Sequence, residues 1–331
     1  MTFGSFRGTV RAMDHLVLID GHHLMYRAYW AIPRTLSTKA GEQVNAAFGF
    51  ASMILTILRK EEPTHFLICF DEGEQTFRHQ ENATYKDGRA ETPDDFYSQI
   101  PRIQEFVSVS GIKHNSHPGF EADDLLCTYA RAAEKEGMRV TIVTGDRDAF
   151  QLATDNITIA IPHGGYQTTE YLGPKEILAK YGVRPDQIAD YKGLTGDSSD
   201  NLPGVKGIGP KTAAQLLQEH DTLDTLYEHL DAVKPAVRAK LEADRESAFF
   251  CRRMAVLIDT IPLVPLLEDI RLSTLPCNDI LAFFRTLEFT MLARRLLDLR
   301  ATPYGTLLCP GPVNADAQTA PKETEQLTLF S

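Results

Sequence analysis

Three short apolar runs in the first half of the chain each lead into an aspartate, and helical patterns separate them. Leu16-Val17-Leu18-Ile19 runs into Asp20-Gly21, Phe66-Leu67-Ile68-Cys69-Phe70 into Asp71, and Val140-Thr141-Ile142-Val143 into Thr144-Gly145-Asp146-Arg147-Asp148. Continuous apolar runs of this length predict strands covered on both faces, and helices between them predict parallel pairing. Val44 to Arg59 supplies one such helix through Ala47, Phe48, Ala51, Ile54, Leu55 and Leu58, and Ile157 to Ile161 reads as a fourth strand. The fold class is therefore α/β, a mostly parallel central sheet flanked by helices, with ligands held beyond the carboxyl ends of the strands. Three such ends bring Asp20, Asp71 and Asp146 to one edge. No G-x-G-x-x-G or G-x-x-x-x-G-K-[ST] loop is present, so this edge is expected to hold cations rather than a nucleotide.

A further acidic group, Glu121-Ala122-Asp123-Asp124, precedes the apolar residues Leu125, Leu126, Tyr129 and Ala130. Alone it reads as the acidic first turn of a solvated helix, favoured by the helix dipole. Beside three strand-end aspartates it reads as a wall of a divalent-metal site. The net charge of -11 argues against a nucleic-acid partner only weakly, because bound cations restore local neutrality and phosphate contacts depend on local patches. With 43% hydrophobic and 24% charged residues, no apolar run of membrane-spanning length and no signal peptide, a cytoplasmic monomer is expected. The five scattered cysteines, Cys69, Cys127, Cys251, Cys277 and Cys309, form no C-x-x-C pair and are expected to be reduced thiols.

Residues 1 to 13 carry no pattern and are expected to be a flexible extension, with Met13 an alternative start. The α/β domain is expected over 14 to 181. Within it, the polar stretch from Glu72 to Thr92 holds Phe77-Arg78 and Tyr85-Lys86-Asp87-Gly88-Arg89; long loops of this kind are often functional. Lys86 and Arg89 are suited to phosphates, and Phe77 or Tyr85 to stacking on a base. A mostly helical subdomain is expected over 182 to 300. It contains Gly196-Asp197-Ser198-Ser199-Asp200-Asn201, then Gly204, Lys206, Gly207, Gly209, Lys211 and Thr212 ahead of the apolar Ala213, Ala214, Leu216 and Leu217. Such a glycine turn at a helix start offers backbone N–H groups to a phosphate without reading a base. Residues 301 to 331 are proline-rich and expected to be disordered, ending in the apolar peptide Gln326-Leu327-Thr328-Leu329-Phe330.

These motifs, in this order from about Leu16 to Leu297, resemble the 5′ nuclease (flap endonuclease) family, including the 5′-3′ exonuclease domain of bacterial DNA polymerase I. The residues that carry the resemblance include Asp20-Gly21 with Tyr26-Arg27-Ala28, Phe70-Asp71, Phe77-Arg78, Tyr85-Lys86 with Arg89, Glu121-Ala122-Asp123-Asp124, Thr144-Gly145-Asp146-Arg147-Asp148 and the Gly196 to Asn201 stretch. The resemblance implies a PIN-like 5′ nuclease fold with a helical arch at about 72 to 105 and a helix-three-turn-helix at the glycine turn. It implies two Mg²⁺ or Mn²⁺ ions held by Asp20, Asp71, Glu121, Asp123, Asp124, Asp146, Asp148, Asp197 and Asp200, and a K⁺ ion at the helix-three-turn-helix. Asp123, Asp124, Asp146 and Asp148 are expected nearest the catalytic pair, Asp197 and Asp200 at the more distant ion. The catalytic set is then Lys86, Arg89, Asp146 and Asp148. DNA contacts are implied for Arg27, Arg78, Tyr85, Lys86, Arg89, Gly204, Lys206, Gly207, Gly209, Lys211 and Thr212.

Two departures stand out: Glu72 replaces a small residue, and Arg147 replaces a common lysine. No polymerase follows in this sequence, which suggests a free-standing nuclease. The expected activity is hydrolysis of phosphodiester bonds at 5′ flaps, nicks and RNA primers in replication and repair. Paired divalent ions roughly 4 Å apart provide a reactive water and neutralise the phosphate. Without them, crowded carboxylates repel and some pKa values rise. A non-catalytic DNA-binding scaffold, a PIN-type ribonuclease and a small-molecule phosphatase are the alternatives. Gln326, Leu327, Leu329 and Phe330 resemble the pentapeptide with which bacterial replication proteins bind the sliding clamp, a partner a tethered apolar peptide would suit.

Overall fold

β1 (His15–Asp20) is buried along its whole length, and its side chains alternate between two cores. Leu16 and Leu18 enter one core, Val17 and Ile19 the other, as the twofold period of a strand requires. The structure, a computed structural model, describes residues 13–73, 75–88 and 92–312. Arg89, the first twelve residues and the peptide Gln326 to Phe330 lie outside them.

After β1 come α1 (Gly21–Ala31), α2 (Asn45–Glu61), β2 (His65–Cys69), α3 (Phe77–Glu81), α4 (Asp94–Tyr97), α5 (Ile100–Ser110) and β3 (Lys113–Asn115). They are followed by α6 (Ala122–Lys135), β4 (Arg139–Val143), β5 (Ile157–Pro162), β6 (Thr169–Leu172) and α7 (Pro174–Tyr181). The remainder is helical: α8 (Ile188–Thr195), α9 (Pro210–His220), α10 (Leu223–Glu228), α11 (Pro235–Ala243), α12 (Arg245–Ala255), α13 (Cys277–Thr286), α14 (Thr290–Arg300) and α15 (Pro303–Leu308).

The sheet order is β3-β2-β1-β4-β5-β6, parallel throughout except for β6 against β5. Ile19 pairs with Ile68 on one side and Val143 on the other, so the ends of β2, β1 and β4 lie in register. The four strands expected from the apolar runs are present. β3 and β6 were not foreseen, since each is short and largely polar. One face packs Leu125, Leu126 and Tyr129 of α6 with Leu194, Leu217 and Leu226 of the later helices; the other packs α1, α2 and α5.

The helices after residue 182 divide between the two faces of the sheet. Phe283, Phe284, Leu292 and Leu296 of α13 and α14 fold back onto the α2 and α5 side of the sheet, because apolar stripes on four helices can share one core there. Residues 301 to 312, expected to be disordered, are also ordered in part. Thr302 caps α15 by accepting from the Gly305 N–H, Pro303 takes its first turn, and Leu308 and Cys309 are buried. This return joins Cys277 to Cys309 in a disulfide, correcting the expectation of five reduced thiols; Cys69, Cys127 and Cys251 are buried and free. The 32-residue separation of Cys277 and Cys309 signals nothing until α14 and α15 have turned the chain back.

Gly196 and Gly204 close the loop between α8 and α9 into one unit. Both have positive φ, 71° and 64°, and a Cβ on Gly204 would lie 2.1 Å from the Gly196 nitrogen. Gly204→Ala is expected to cost roughly 2 kcal/mol or more in urea denaturation, since an unfavourable backbone region and a backbone clash add.

Candidate metal centre and nucleic-acid face

Asp20 ends β1 and caps α1, accepting from the His23 N–H (2.9 Å) and the Thr144 hydroxyl (2.9 Å). A hydroxyl from the end of β4 thus fixes a carboxylate on the neighbouring strand. Asp71, just past β2, accepts from the Ala122 N–H at the start of α6 (2.8 Å), with His22 Nδ1 3.4 Å away. Past β4, the Thr144 hydroxyl accepts from the Asp146 N–H (3.0 Å), and Asp146 Oδ1 from the Asp148 N–H (2.9 Å). Asp123 faces this edge from the first turn of α6, and its Oδ1 is out of solvent with no hydrogen-bond partner.

These acids feel one another. Burial, then Asp71 and Asp146, push the Asp20 carboxyl up to about 7, against the lowering effect of His23 and Thr144. Burial, then Asp146, Asp20 and Glu121, push Asp123 well above the carboxylate range, with Lys86 opposing. The expected rise of crowded carboxylate pKa values is therefore present at both residues. Among the described residues no three His, Cys, Asp or Glu side chains are already drawn into a metal-ligating cluster. The donor set nevertheless fits a hard divalent ion: oxygen ligands, excess negative charge and an unpartnered carboxylate oxygen. Mg²⁺ keeps several waters, so it needs few direct carboxylates.

A raised folded-state pKa means that the Asp20 contribution is fully present below the ordinary value of 3.8 and is lost as pH rises through about 7. The metal-free chain is thus expected to lose thermal stability across that window. Mg²⁺ should raise the melting temperature more at pH 8 than at pH 5, and Asp20→Asn should stabilise the metal-free chain at pH 8 while shrinking the Mg²⁺ response.

Asp124 and Arg78 do not belong to this edge. Asp124 is fully buried, and its oxygens accept from Arg78 NH1 (2.8 Å), Arg78 NH2 (2.9 Å), and the Glu121 and Ile258 N–H groups. Arg78 is 2% exposed, and its other bonds run to Glu121 and to the carbonyls of Met254 and Val256. All five N–H donors are engaged, leaving none for DNA. Asp124 is likewise engaged inside the fold, by Arg78 and two backbone N–H groups.

Tyr85 was expected to contact DNA, but it is buried against Leu202, Cys251 and Met254, with its hydroxyl on Glu121 (3.3 Å) and Asp200 (3.1 Å). Lys86 places Nζ 2.6 Å from Glu121 Oε1, so Glu121 has its oxygens taken by Lys86, Arg78 and Tyr85. Arg78 and Tyr85 thereby fasten residues 77 to 86 to α6 and to the end of α12. The Lys86 N–H bonds to the Asp200 carbonyl and Asn201 Nδ2 to the Thr84 carbonyl, tying this segment to the Asp197–Asp200 loop.

In the same loop, Asp197 accepts from Lys192 Nζ (2.6 Å) and the Ser199 N–H (2.9 Å). Burial raises its pKa, but Lys192 and Ser199 outweigh that and hold it at about 2. Lys206, Gly207, Gly209 and Lys211 are exposed at the start of α9, while Gly204 is buried and Thr212 half-buried. The glycine turn is braced from behind, because Asp244 accepts from the Lys206 N–H (2.8 Å) and Lys240 donates to the Gly207 carbonyl (2.9 Å). Arg27 is half-buried on α1, with Nε unpartnered. Thr144 and Lys192 are the residues sequence reasoning missed. Thr144 had a signal in its place between a strand end and Asp146; Lys192 had none beyond a charge in an apolar helix.

A parallel sheet with carboxylates at adjacent strand ends is thus joined to a helical unit carrying a glycine turn, an arrangement suited to divalent ions and phosphates. Residues 15–182 match the family described as 5′-3′ exonuclease, N-terminal resolvase-like domain, and residues 183–276 match 5′-3′ exonuclease, C-terminal SAM fold. The chain belongs to the 5′-3′ exonuclease family. It is 41% identical over 296 residues to DNA polymerase I of Mycobacterium bovis, covering 89% of this chain and 33% of that protein. Against the thermostable DNA polymerase I of Thermus thermophilus it is 44% identical over 282 residues, 83% of this chain and 32% of the other. The chain thus spans about a third of the length of the curated relatives it matches. In structure it is similar to zinc-bound T5 5′-exonuclease, with TM-score 0.62, 19% identity, and 86% and 98% of the two chains covered. The catalytic core of Rad2 with DNA substrate aligns at TM-score 0.51 and 18% identity, covering 86% and 92%. At these identities the two likenesses concern the fold. Among the described residues no helix is long and apolar enough to cross a membrane.

Proposed function

We propose that this chain is a structure-specific 5′-3′ exonuclease and flap endonuclease that hydrolyses phosphodiester bonds at 5′ flaps, nicks and primers. The observation that carries the reading is the meeting of Asp20, Asp71, Asp123 and Asp146 at one sheet edge, with Asp123 Oδ1 unpartnered. Two Mg²⁺ or Mn²⁺ ions would be held by Asp20, Asp71, Asp123 and Asp146, and by Asp148, Asp197 and Asp200. When bound, they supply a reactive water at neutral pH and neutralise charge on the phosphate.

The chain's own groups do the rest. His23 and Thr144 hold the Asp20 carboxylate in place, and the Asp148 N–H orients Asp146. Lys86 sets a positive charge beside Glu121 at the rim, where an incoming phosphate would meet it, and Arg89 is assigned the same task. Lys206, Lys211 and the backbone at Gly207 and Gly209 would grip duplex phosphates without reading bases, with K⁺ bound at the turn. A decayed scaffold or a ribonuclease fits less well, because the strand-end acids Asp20, Asp71 and Asp146 are all present and the glycine turn suits a duplex backbone.

A comparison of 5′-flapped DNA, an RNA hairpin and a simple phosphate ester in Mg²⁺ tests the reading. Flapped DNA is expected to be cut fastest, with EDTA abolishing cleavage; preference for either other substrate would contradict it. A role for Gln326, Leu327, Leu329 and Phe330 in binding a bacterial sliding clamp belongs to the same proposal. Deleting 326 to 330 is expected to abolish clamp binding and to leave flap cleavage unchanged.

A further inference from the structure

Lys192 is the one basic residue of α8, and it is buried. Its Nζ lies 2.6 Å from Asp197 Oδ2 and also pairs with Asp148 Oδ1. The three side chains are only 11 to 16% exposed. Asp148 opens the short 3-10 turn after β4, whereas Asp197 follows α8, so one ammonium joins acids from the sheet edge and from the loop ahead of the glycine turn. Surface lysines with exposed partners contribute little. Here the burial is too deep for that description, and removing one member would leave carboxylates uncompensated.

Asp148 and Asp197 are both among the acids assigned to divalent ions. A dication that approached both would meet the ammonium already between them, at a separation where like charges repel strongly. The lysine has a way out that a metal ligand lacks: a flexible four-carbon stem that can swing its charge aside. We infer that Lys192 is a resident cation at the outer metal position, which neutralises Asp148 and Asp197 while no metal is bound and makes the second divalent ion bind weakly, by displacement. The inference rests on the reading that these two acids face a metal. It gives Lys192 a positioning role: the acids from the two halves stay together in the metal-free chain, and occupancy of the outer position is coupled to movement of the lysine.

The test is a Mn²⁺ titration of the full chain, followed by the electron paramagnetic resonance signal of free Mn²⁺. The wild-type chain is expected to bind one ion tightly and a second about tenfold or more weakly, a gap of about 1.4 kcal/mol or more. Lys192→Leu should close most of that gap, and Lys192→Arg, which keeps the charge, should preserve it. Because Lys192→Leu puts two acids at risk of misfolding the loop, acetic anhydride labelling of the wild-type chain gives an independent reading. Lys192 should be protected without metal and with one equivalent of Mn²⁺, and become reactive at saturation. Equal affinity for both ions in the wild type, an unchanged gap in a folded Lys192→Leu chain, or a lysine still protected at saturation would each overturn the inference while leaving the metal centre intact. Failure of the wild-type chain to bind any Mn²⁺ would remove the metal reading and this inference with it.

Discussion

Asp146→Asn is expected to slow flap cleavage by roughly 10³-fold or more, because losing a carboxylate that helps to hold the ions forfeits several kcal/mol of transition-state stabilisation. The fold should survive the change. An asparagine oxygen can still accept the Asp148 N–H that Asp146 Oδ1 accepts now, and the Asp146 N–H to Thr144 is unaffected. Duplex binding should persist as well, since the exposed Lys206 and Lys211 at the glycine turn are untouched. Single-turnover cleavage and a separate binding measurement distinguish the two effects. Full activity in the variant would remove Asp146 from the site; parallel loss of binding would show that the carboxylate acts through the fold.

Arg78→Met should be the most destabilising single change described here, by about 3–5 kcal/mol, the usual cost of breaking a buried pair from one side. It leaves a fully buried Asp124 with half of its hydrogen bonds and frees the carbonyls of Met254 and Val256. Urea denaturation measures the loss. The double variant Arg78→Met with Asp124→Leu should recover part of it, because no unpaired charge then remains. If Arg78→Met instead weakened DNA binding at unchanged stability, Arg78 would be a DNA contact after all.

Arg78 shows where sequence reading stops. Phe77-Arg78 sits in a polar stretch beside an acidic edge, and nothing local separates an arginine that meets phosphate from one that turns inward. The decision is made at the end of α12, where the carbonyls of Met254 and of Val256, just past the helix, arrive from 176 and 178 residues away. Asp124 is hidden for the same reason: Asp123 and Asp124 are adjacent on a helix, about 100° apart, and only packing decides which faces the cleft. The strand-end acids were legible because a parallel sheet places every strand terminus at one edge, so Asp20, Asp71 and Asp146 could be located from apolar runs alone. β6 and the return of α13 to α15 were not legible, since an antiparallel edge strand and an amphipathic stripe do not name their partners.

We propose that divalent ions sit among Asp20, Asp123 and Asp146, with Asp124 turned away. Anomalous diffraction from crystals soaked in Mn²⁺ tests it most directly. A peak bounded by the Asp20, Asp123 and Asp146 carboxylates, with Asp124 still on Arg78, is the expected result. A peak on the Asp124 side of α6, or none at saturating Mn²⁺, would contradict it.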